Sequence, residues 1–357
     1  LGTSAGPEGS GGRLQRNLRG GLAALIGVCA LTAQAPLVTT TPSELAFQAA
    51  RAAYASKDYE RAFAQARSAA DAGHVAAMRL AGHMLEAGLG VDQDETAAAE
   101  YYRRAAQRND PDALYSLGLL GLESRGGVSK PEAESFLSRA GRAGDAAAAE
   151  ALGYALLSGE IGRLDVNAAA LWLARAADAG RTSAAYPAAL LFTGQDGADI
   201  DYARARKYLE QAGTAGVGAA AADLGLLLMQ GRFGAPDAEG AARWFERAAS
   251  YGDQEGQFLY AYTLATGSGT MQNLEAAYGW VLRSAAQGRS SDQQWDADRV
   301  RLQTALEQTL PPDALARIRT EVSAPPLAPP GAPGPQPAEG SAPTPHPQDP
   351  KAAPPAP

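Results

Sequence analysis

Few side chains in this sequence could do chemistry, and their spacing argues against it. The histidines are His74, His83 and His346. None has a cysteine near it, and no third histidine is in reach of His74 and His83, so a nitrogen–sulfur metal set cannot be assembled. Cys29 is the single cysteine. It lies in a segment with the features of an export signal, so a processed chain would hold no thiol nucleophile, disulfide or zinc–cysteine site. Asp92-x-Asp94 resembles the opening of a calcium loop, but no glycine or bidentate glutamate follows at the required positions. Asp196 and Asp199 stand in a glycine-bearing stretch of a kind that recurs along the chain, and they read as solvated acids. No phosphate loop, dinucleotide fingerprint, serine elbow or zinc-protease motif is present. A net charge of −8 removes the basic face that phosphate contacts need, which excludes nucleic acid as a partner. The expectation is a protein that binds, not an enzyme, with no cofactor and no metal.

The elements that would position a binding surface are periodic. The stretch Asn167–Gly180 has an alanine (Ala169), a ring (Trp172), a small pair (Ala176, Ala177) and a stop glycine (Gly180). Its relatives stop at Gly73, Asn109, Gly144, Gly180, Gly216, Gly252 and Gly288, in steps of 36, 35, 36, 36, 36 and 36 residues. Repetition at this period marks a solenoid of stacked units. The alanine column is Ala62, Ala98, Ala133, Ala169, Ala205, Ala241 and Ala277. Three residues on come Gln65, Tyr101, Phe136, Trp172, Tyr208, Trp244 and Trp280. Small residues follow at seven and eight, which puts all of these on one helix face. Four residues before each alanine stands Asp58, Asp94, Ser129, Asp165, Asp201, Asp237 or Asn273, each able to cap a helix N-terminus. Trp172 then belongs to a packing column, and its loss is expected to cost about 3–5 kcal/mol if it is buried.

A second helix precedes the capped one in each unit. It is marked by Ala81-Gly82, Leu117-Gly118, Leu152-Gly153, Ala188-Ala189, Leu224-Gly225 and Tyr260-Ala261, whose second member is always small enough for close approach. Glycine-bearing links such as Gly88-Leu-Gly90-Val91 and Gly267-Ser-Gly269 join the two. Each unit is therefore helix A, a link, a capped helix B and a stop.

The LG pair, the G-x-G-V link, the aspartate cap, A-x-x-W/Y and AA-x-x-G together resemble the Sel1-like repeat family, relatives of the tetratricopeptide repeats. Val75–Asp110 is nearest to type, and the resemblance runs from about Thr41 to Gly288. It implies an all-α, right-handed α-solenoid of about seven helix-turn-helix repeats. It also implies an adaptor that holds other proteins, in bacteria often at the envelope. The disulfides of the family's cysteine-rich members do not transfer, and the repeats bring no general catalytic residue. Residues 289–322 read as two helices capping the last unit.

The two ends differ from the array. Arg13, Arg16 and Arg19 precede an uncharged run, Gly20–Ala35, with an apolar centre and an A-x-A-like end. Residues 1–35 therefore read as a secretory signal, giving a periplasmic or secreted protein. The alternative is an inner-membrane anchor through residues 20–35 if the signal is uncleaved. Residues 323–357 hold 14 of the 23 prolines and one large aliphatic side chain, Leu327. Such a tail cannot bury a core and is expected to be disordered.

A partner surface is expected on the concave face of the solenoid, lined by the A helices. Positions six, ten and thirteen after each stop form a stripe at i, i+4, i+7. It is polar in the first full unit (Arg79, His83, Glu86) and mostly aromatic and aliphatic beyond it. Its candidate contact residues are Tyr115, Glu150, Tyr154, Tyr186, Leu190, Leu226, Phe258 and Tyr262. Tyrosine-rich apolar surface suits a protein or peptide ligand. Exposed rings also suit sugars, so a glycan-binding role in cell-wall or exopolysaccharide assembly is the alternative. The proline tail docking in the chain's own groove is a third reading.

Overall fold

The computed structural model describes residues 41–288 and 293–323, which form sixteen α-helices and no strand. All of these helices fall within one compact unit beginning at Pro42. The expected export signal and the proline-rich tail beyond Ser323 lie outside the described residues. No described helix is long and apolar enough to cross a membrane.

The helices come as antiparallel pairs, A then B. In order they are α1 (Pro42–Ala55) with α2 (Tyr59–Asp71), α3 (Val75–Ala87) with α4 (Glu95–Ala106), and α5 (Pro111–Leu122) with α6 (Lys130–Arg142). Next come α7 (Ala146–Ser158) with α8 (Val166–Asp178) and α9 (Ala185–Phe192) with α10 (Tyr202–Thr214). The last pairs are α11 (Gly218–Met229) with α12 (Ala238–Ser250) and α13 (Gln254–Thr266) with α14 (Leu274–Ala286). Each pair packs on the next, which is the quasi-linear stacking of a solenoid. Two further helices, α15 (Gln293–Thr309) and α16 (Pro312–Ser323), both pack on α14.

Capping sets where each B helix begins. The side chains of Asp58, Asp94, Ser129, Asp165, Asp201, Asp237 and Asn273 each accept a hydrogen bond from the backbone N–H three residues on. Asp94 is thus the cap of α4, accepting from Ala97 N–H at 2.9 Å. Termination is equally regular. All seven stop residues have positive φ, from 57° at Asn109 to 100° at Gly144 and Gly216. That geometry excludes a further helical turn and favours glycine. The A helices have a cap column of their own, formed by His74, Asp110, Asp145 and Asp253. It lapses in the sixth unit, where Val217 makes no side-chain cap, and in the fifth. There Arg181 makes no side-chain cap, and α9 shrinks to 8 residues behind a 3₁₀ turn.

Packing within a unit rests on a column one residue beyond the ring. Tyr102, Leu137, Leu173, Leu209, Phe245 and Val281 are no more than 2% exposed. In most units the facing residue on helix A is the glycine of the LG pair. A Cβ on Gly153 would lie 2.7 Å from Leu173 Cγ, and one on Gly82 would lie 2.8 Å from the Tyr102 ring. The missing methyl is what lets the large side chain lie flat on helix A. Each such side chain contributes about 1.5–3 kcal/mol by leaving water.

The ring column itself works between units and is less buried than its regularity suggests. A Cβ on Gly141 of α6 would meet Trp172 at 2.9 Å, and one on Gly213 of α10 would meet Trp244 at 3.0 Å. Trp172 and Trp244 stay half-buried, because the far side of each ring faces outward beneath Arg175 and Arg247. The full cost expected for losing Trp172 therefore belongs to its neighbour Leu173. Where the ring is not tryptophan, the residue three positions on ties the units together. Arg104, Arg139 and Gln211 donate to the carbonyls of Ala70, Ala106 and Ala177, in the last turn of the preceding B helix, at 2.8, 3.0 and 2.9 Å.

Candidate interaction surface

The A helices project their third face away from the B helices, and the stripe expected from the sequence lies there. Tyr154 and Tyr262 are 42% and 46% exposed, and Leu119 is 36% exposed. Tyr115, Tyr186, Leu190 and Leu226 are half-buried, their remaining surface open between neighbouring A helices. The hydroxyls of Tyr115, Tyr154 and Tyr262 have no hydrogen-bond partner among the described residues. Burial of the Tyr115 and Tyr154 rings holds both phenols above their ordinary pKa, so they stay neutral donors at physiological pH.

Two apolar grooves run along this face. One, of about 410 Å³, is flanked by Leu122, Tyr154 and Leu157. The other, of about 570 Å³, is flanked by Met229, Leu259, Tyr262 and Leu302. A third, of about 590 Å³, lies at the N-terminal end between Phe47, Tyr54, Arg79 and His83. Grooves of this kind, each with a ring at its edge, can hold apolar side chains of a peptide while a free phenol bonds its backbone.

Two expected contact residues are occupied by the fold. Phe258 is 7% exposed because α15 closes over it and places the Trp295 ring 5.2 Å away, edge to face. It belongs to the terminal core, and the sequence periodicity could not show a covering helix from beyond the repeats. Glu150 accepts from Arg181 Nε at 2.6 Å and from Ser183 Oγ at 2.7 Å. Its carboxylate is a tether between α7 and the start of the next unit, not a free acceptor.

The histidines and the polar first unit are likewise committed internally. His74 Nδ1 caps α3 through Ala77 N–H at 3.2 Å, its Nε2 meets Glu44 at 2.9 Å, and its ring stacks on Phe47 at 4.3 Å. His83 lies 3.4 Å from the Tyr54 hydroxyl. Arg79 pairs with Asp110 and Asp112, and Tyr102 donates to Glu86. Among the described residues, no group of three or more histidines, cysteines and carboxylates is placed to hold a metal ion.

Tyr186 contributes differently from the other tyrosines. Its hydroxyl donates to Asp223 Oδ2 at 2.9 Å, across from α9 to α11. Asp223 is held above the usual carboxylate range, first by burial; the Tyr186 bond opposes the shift and the nearby Asp253 charge adds to it. An acid whose folded pKa exceeds its unfolded value binds more protons when folded. Stability therefore falls as pH rises through that interval. Asp223→Asn is expected to melt above the wild type at neutral pH. The advantage should vanish below about pH 3.9, where aspartate is protonated in both states. Equal melting temperatures at neutral pH would contradict this.

A stack of short helix pairs, each packed on the next and with apolar grooves along its A helices, defines a repeat scaffold. Seven stretches match the Sel1 repeat, at residues 51–74, 75–110, 111–145, 146–180, 184–217, 218–253 and 254–288. They span more than half of the chain, which belongs to the Sel1 repeat family. Proteins of this family generally serve as non-enzymatic scaffolds that bind other proteins. A curated relative is the chitin synthase regulator SKT5 of Saccharomyces cerevisiae, 34% identical over 93 residues. That match covers 25% of this chain and only 13% of the yeast protein. Among solved structures, c5321, a protective antigen of uropathogenic Escherichia coli, aligns at 22% identity and a TM-score of 0.48, over 78% of this chain and 67% of its own. A Sel1 repeat protein from Oxalobacter formigenes aligns at 24% identity and a TM-score of 0.42, over 70% and 98%.

Proposed function

We propose that this protein is an exported scaffold that holds a partner protein or peptide along the concave face lined by its A helices. The observation that carries the reading is the pair of apolar grooves edged by Tyr154 and Tyr262, whose hydroxyls are unused. Tyr154 and Tyr262, at 42% and 46% exposure, are its anchors, with Leu190 and Leu226 on the helices between them and Tyr115 one unit before. Residues 13–35 support export to the periplasm or beyond; retention at the inner membrane through the same segment is the alternative.

The anchors can be tested without disturbing the fold, since neither is part of the core. Tyr154→Ala and Tyr262→Ala are each expected to weaken partner binding about tenfold, near 1.4 kcal/mol, with unchanged helicity and melting. Full affinity in the double variant would remove the reading. Binding abolished by glycan digestion but surviving protease treatment of the ligand fraction would favour the glycan-assembly role instead.

A further inference from the structure

The B helices carry a surface that the repeat pattern does not explain. At the seam between α2 and α4, Asp71 in the last turn of α2 pairs with Arg104 of α4 at 3.2 Å. The same two repeat positions at the seam between α6 and α8 are Arg142 and Arg175. An attraction is thus replaced by two like charges, and both line one groove of about 760 Å³. Neither guanidinium has a hydrogen bond or ion pair among the described residues; Arg175 only stacks over Trp172, 5.5 Å from its centre. Arg204 of α10, paired with Asp201 at 3.4 Å, and Lys207 also line the groove. The carboxylate there, Asp178, is already taken by Lys207 at 2.6 Å. In a chain of net charge −8, Arg142 and Arg175 are a local excess of cations at a place where the equivalent seam two units earlier is neutralised. Like charges across a seam are unfavourable until an anion bridges them.

The apolar lining narrows the class of anion. Leu171 is 52% exposed at the groove's edge. Sugars need a bare ring face, and the rings here are covered: Trp172 by Arg175, Phe192 by Arg204 at 5.4 Å and Tyr208 by Lys207 at 4.8 Å. A carboxylate next to an apolar side chain satisfies both features. We propose that the groove across α6, α8 and α10 docks an acidic, leucine-bearing segment of a partner protein, one carboxylate bridging Arg142 and Arg175. The site is separate from the A-helix face and does not depend on it.

The probe is a fluorescein-labelled peptide of alternating glutamate and leucine, titrated by anisotropy into the full chain at low salt, where screening is weak. Arg142→Asp recreates the Asp71–Arg104 arrangement. It is expected to hold or raise the melting temperature while weakening the peptide about tenfold or more. Arg243→Glu on α12, whose side chain is 63% exposed and outside the groove, should leave binding unchanged. Tyr154→Ala with Tyr262→Ala should also leave it unchanged, which separates this site from the A-helix face. Wild-type affinity in Arg142→Asp would overturn the proposal, as would an equal loss in Arg243→Glu. Tighter, Arg142-dependent binding of a sulfated oligosaccharide or a phosphatidylserine vesicle would overturn it in favour of that ligand class.

Discussion

Phe245→Ala is expected to lower stability by about 3–5 kcal/mol, and Trp244→Ala, the residue beside it, by only about 1–3 kcal/mol. The larger ring loses less because of where each one points. Phe245 is 0% exposed and lies against Gly225 of the helix paired with it, inside its own unit. Truncation leaves a cavity roofed by two helices that are held apart by the rest of the array, so collapse cannot fill it. Trp244 lies over Gly213 of the preceding B helix, with Arg247 4.7 Å from its outer face. Truncation there opens a surface notch that water and the Arg247 stem can occupy. Urea melts followed by far-ultraviolet dichroism read both changes. A larger loss for Trp244→Ala than for Phe245→Ala would contradict the assignment of the two columns.

Gly269→Ala is expected to cost about 2–4 kcal/mol, well beyond the effect of Gly252→Ala. Both glycines have positive φ, 72° and 81°, so alanine pays a backbone cost of about 1–2 kcal/mol at either site. They differ in what a methyl would meet. At Gly252 nothing lies within 4 Å, whereas at Gly269 the Cβ would overlap the backbone carbonyl of Ala238 in the first turn of α12. A helix backbone cannot rotate away as a side chain can, so the link must lift off the preceding unit and the overpacking term adds to the conformational one. Gly90 seats the first link against Tyr59 of α2 in the same manner. The link glycines are thus what brings one unit down onto the last. Thermal melts of the two variants compare the terms directly; equal destabilisation would mean that only the backbone conformation matters.

The features legible in the sequence were those that repeat with one residue type. The alanine column is 0% exposed at Ala62, Ala98, Ala133, Ala169, Ala205, Ala241 and Ala277, because no larger side chain fits where paired helices touch. The B-helix caps were readable for the same reason: only short oxygen-bearing side chains reach the free N–H groups. The fully buried column is harder to read in the sequence because its occupant varies among tyrosine, leucine, phenylalanine and valine. Its signal was present all the same, as an unbroken run of large apolar residues beside the ring. The A-helix caps were missed because His74 takes the place of an aspartate and two units lack the cap.

The surface was less legible than the frame, since its state depends on contacts between units. Spacing placed Tyr154 and Tyr262 on an open face, but not the Arg181 and Ser183 bonds that occupy Glu150. Nor could it show α15 lying over Phe258. That Arg142 and Arg175 share one groove becomes visible only when the last turns of successive B helices are known to lie side by side.

The central claim is that partners are held on the face lined by the A helices. Photo-crosslinking in the native cell tests it most directly, with a benzophenone side chain placed in turn at Tyr154, at Tyr262 and at Met271, a reference position in a link that is 86% exposed. The account expects one and the same protein to be captured at positions 154 and 262, and capture to be lost when the other tyrosine is changed to alanine. Crosslinks of equal yield and identity at Met271, or none above background at either tyrosine position, would contradict it.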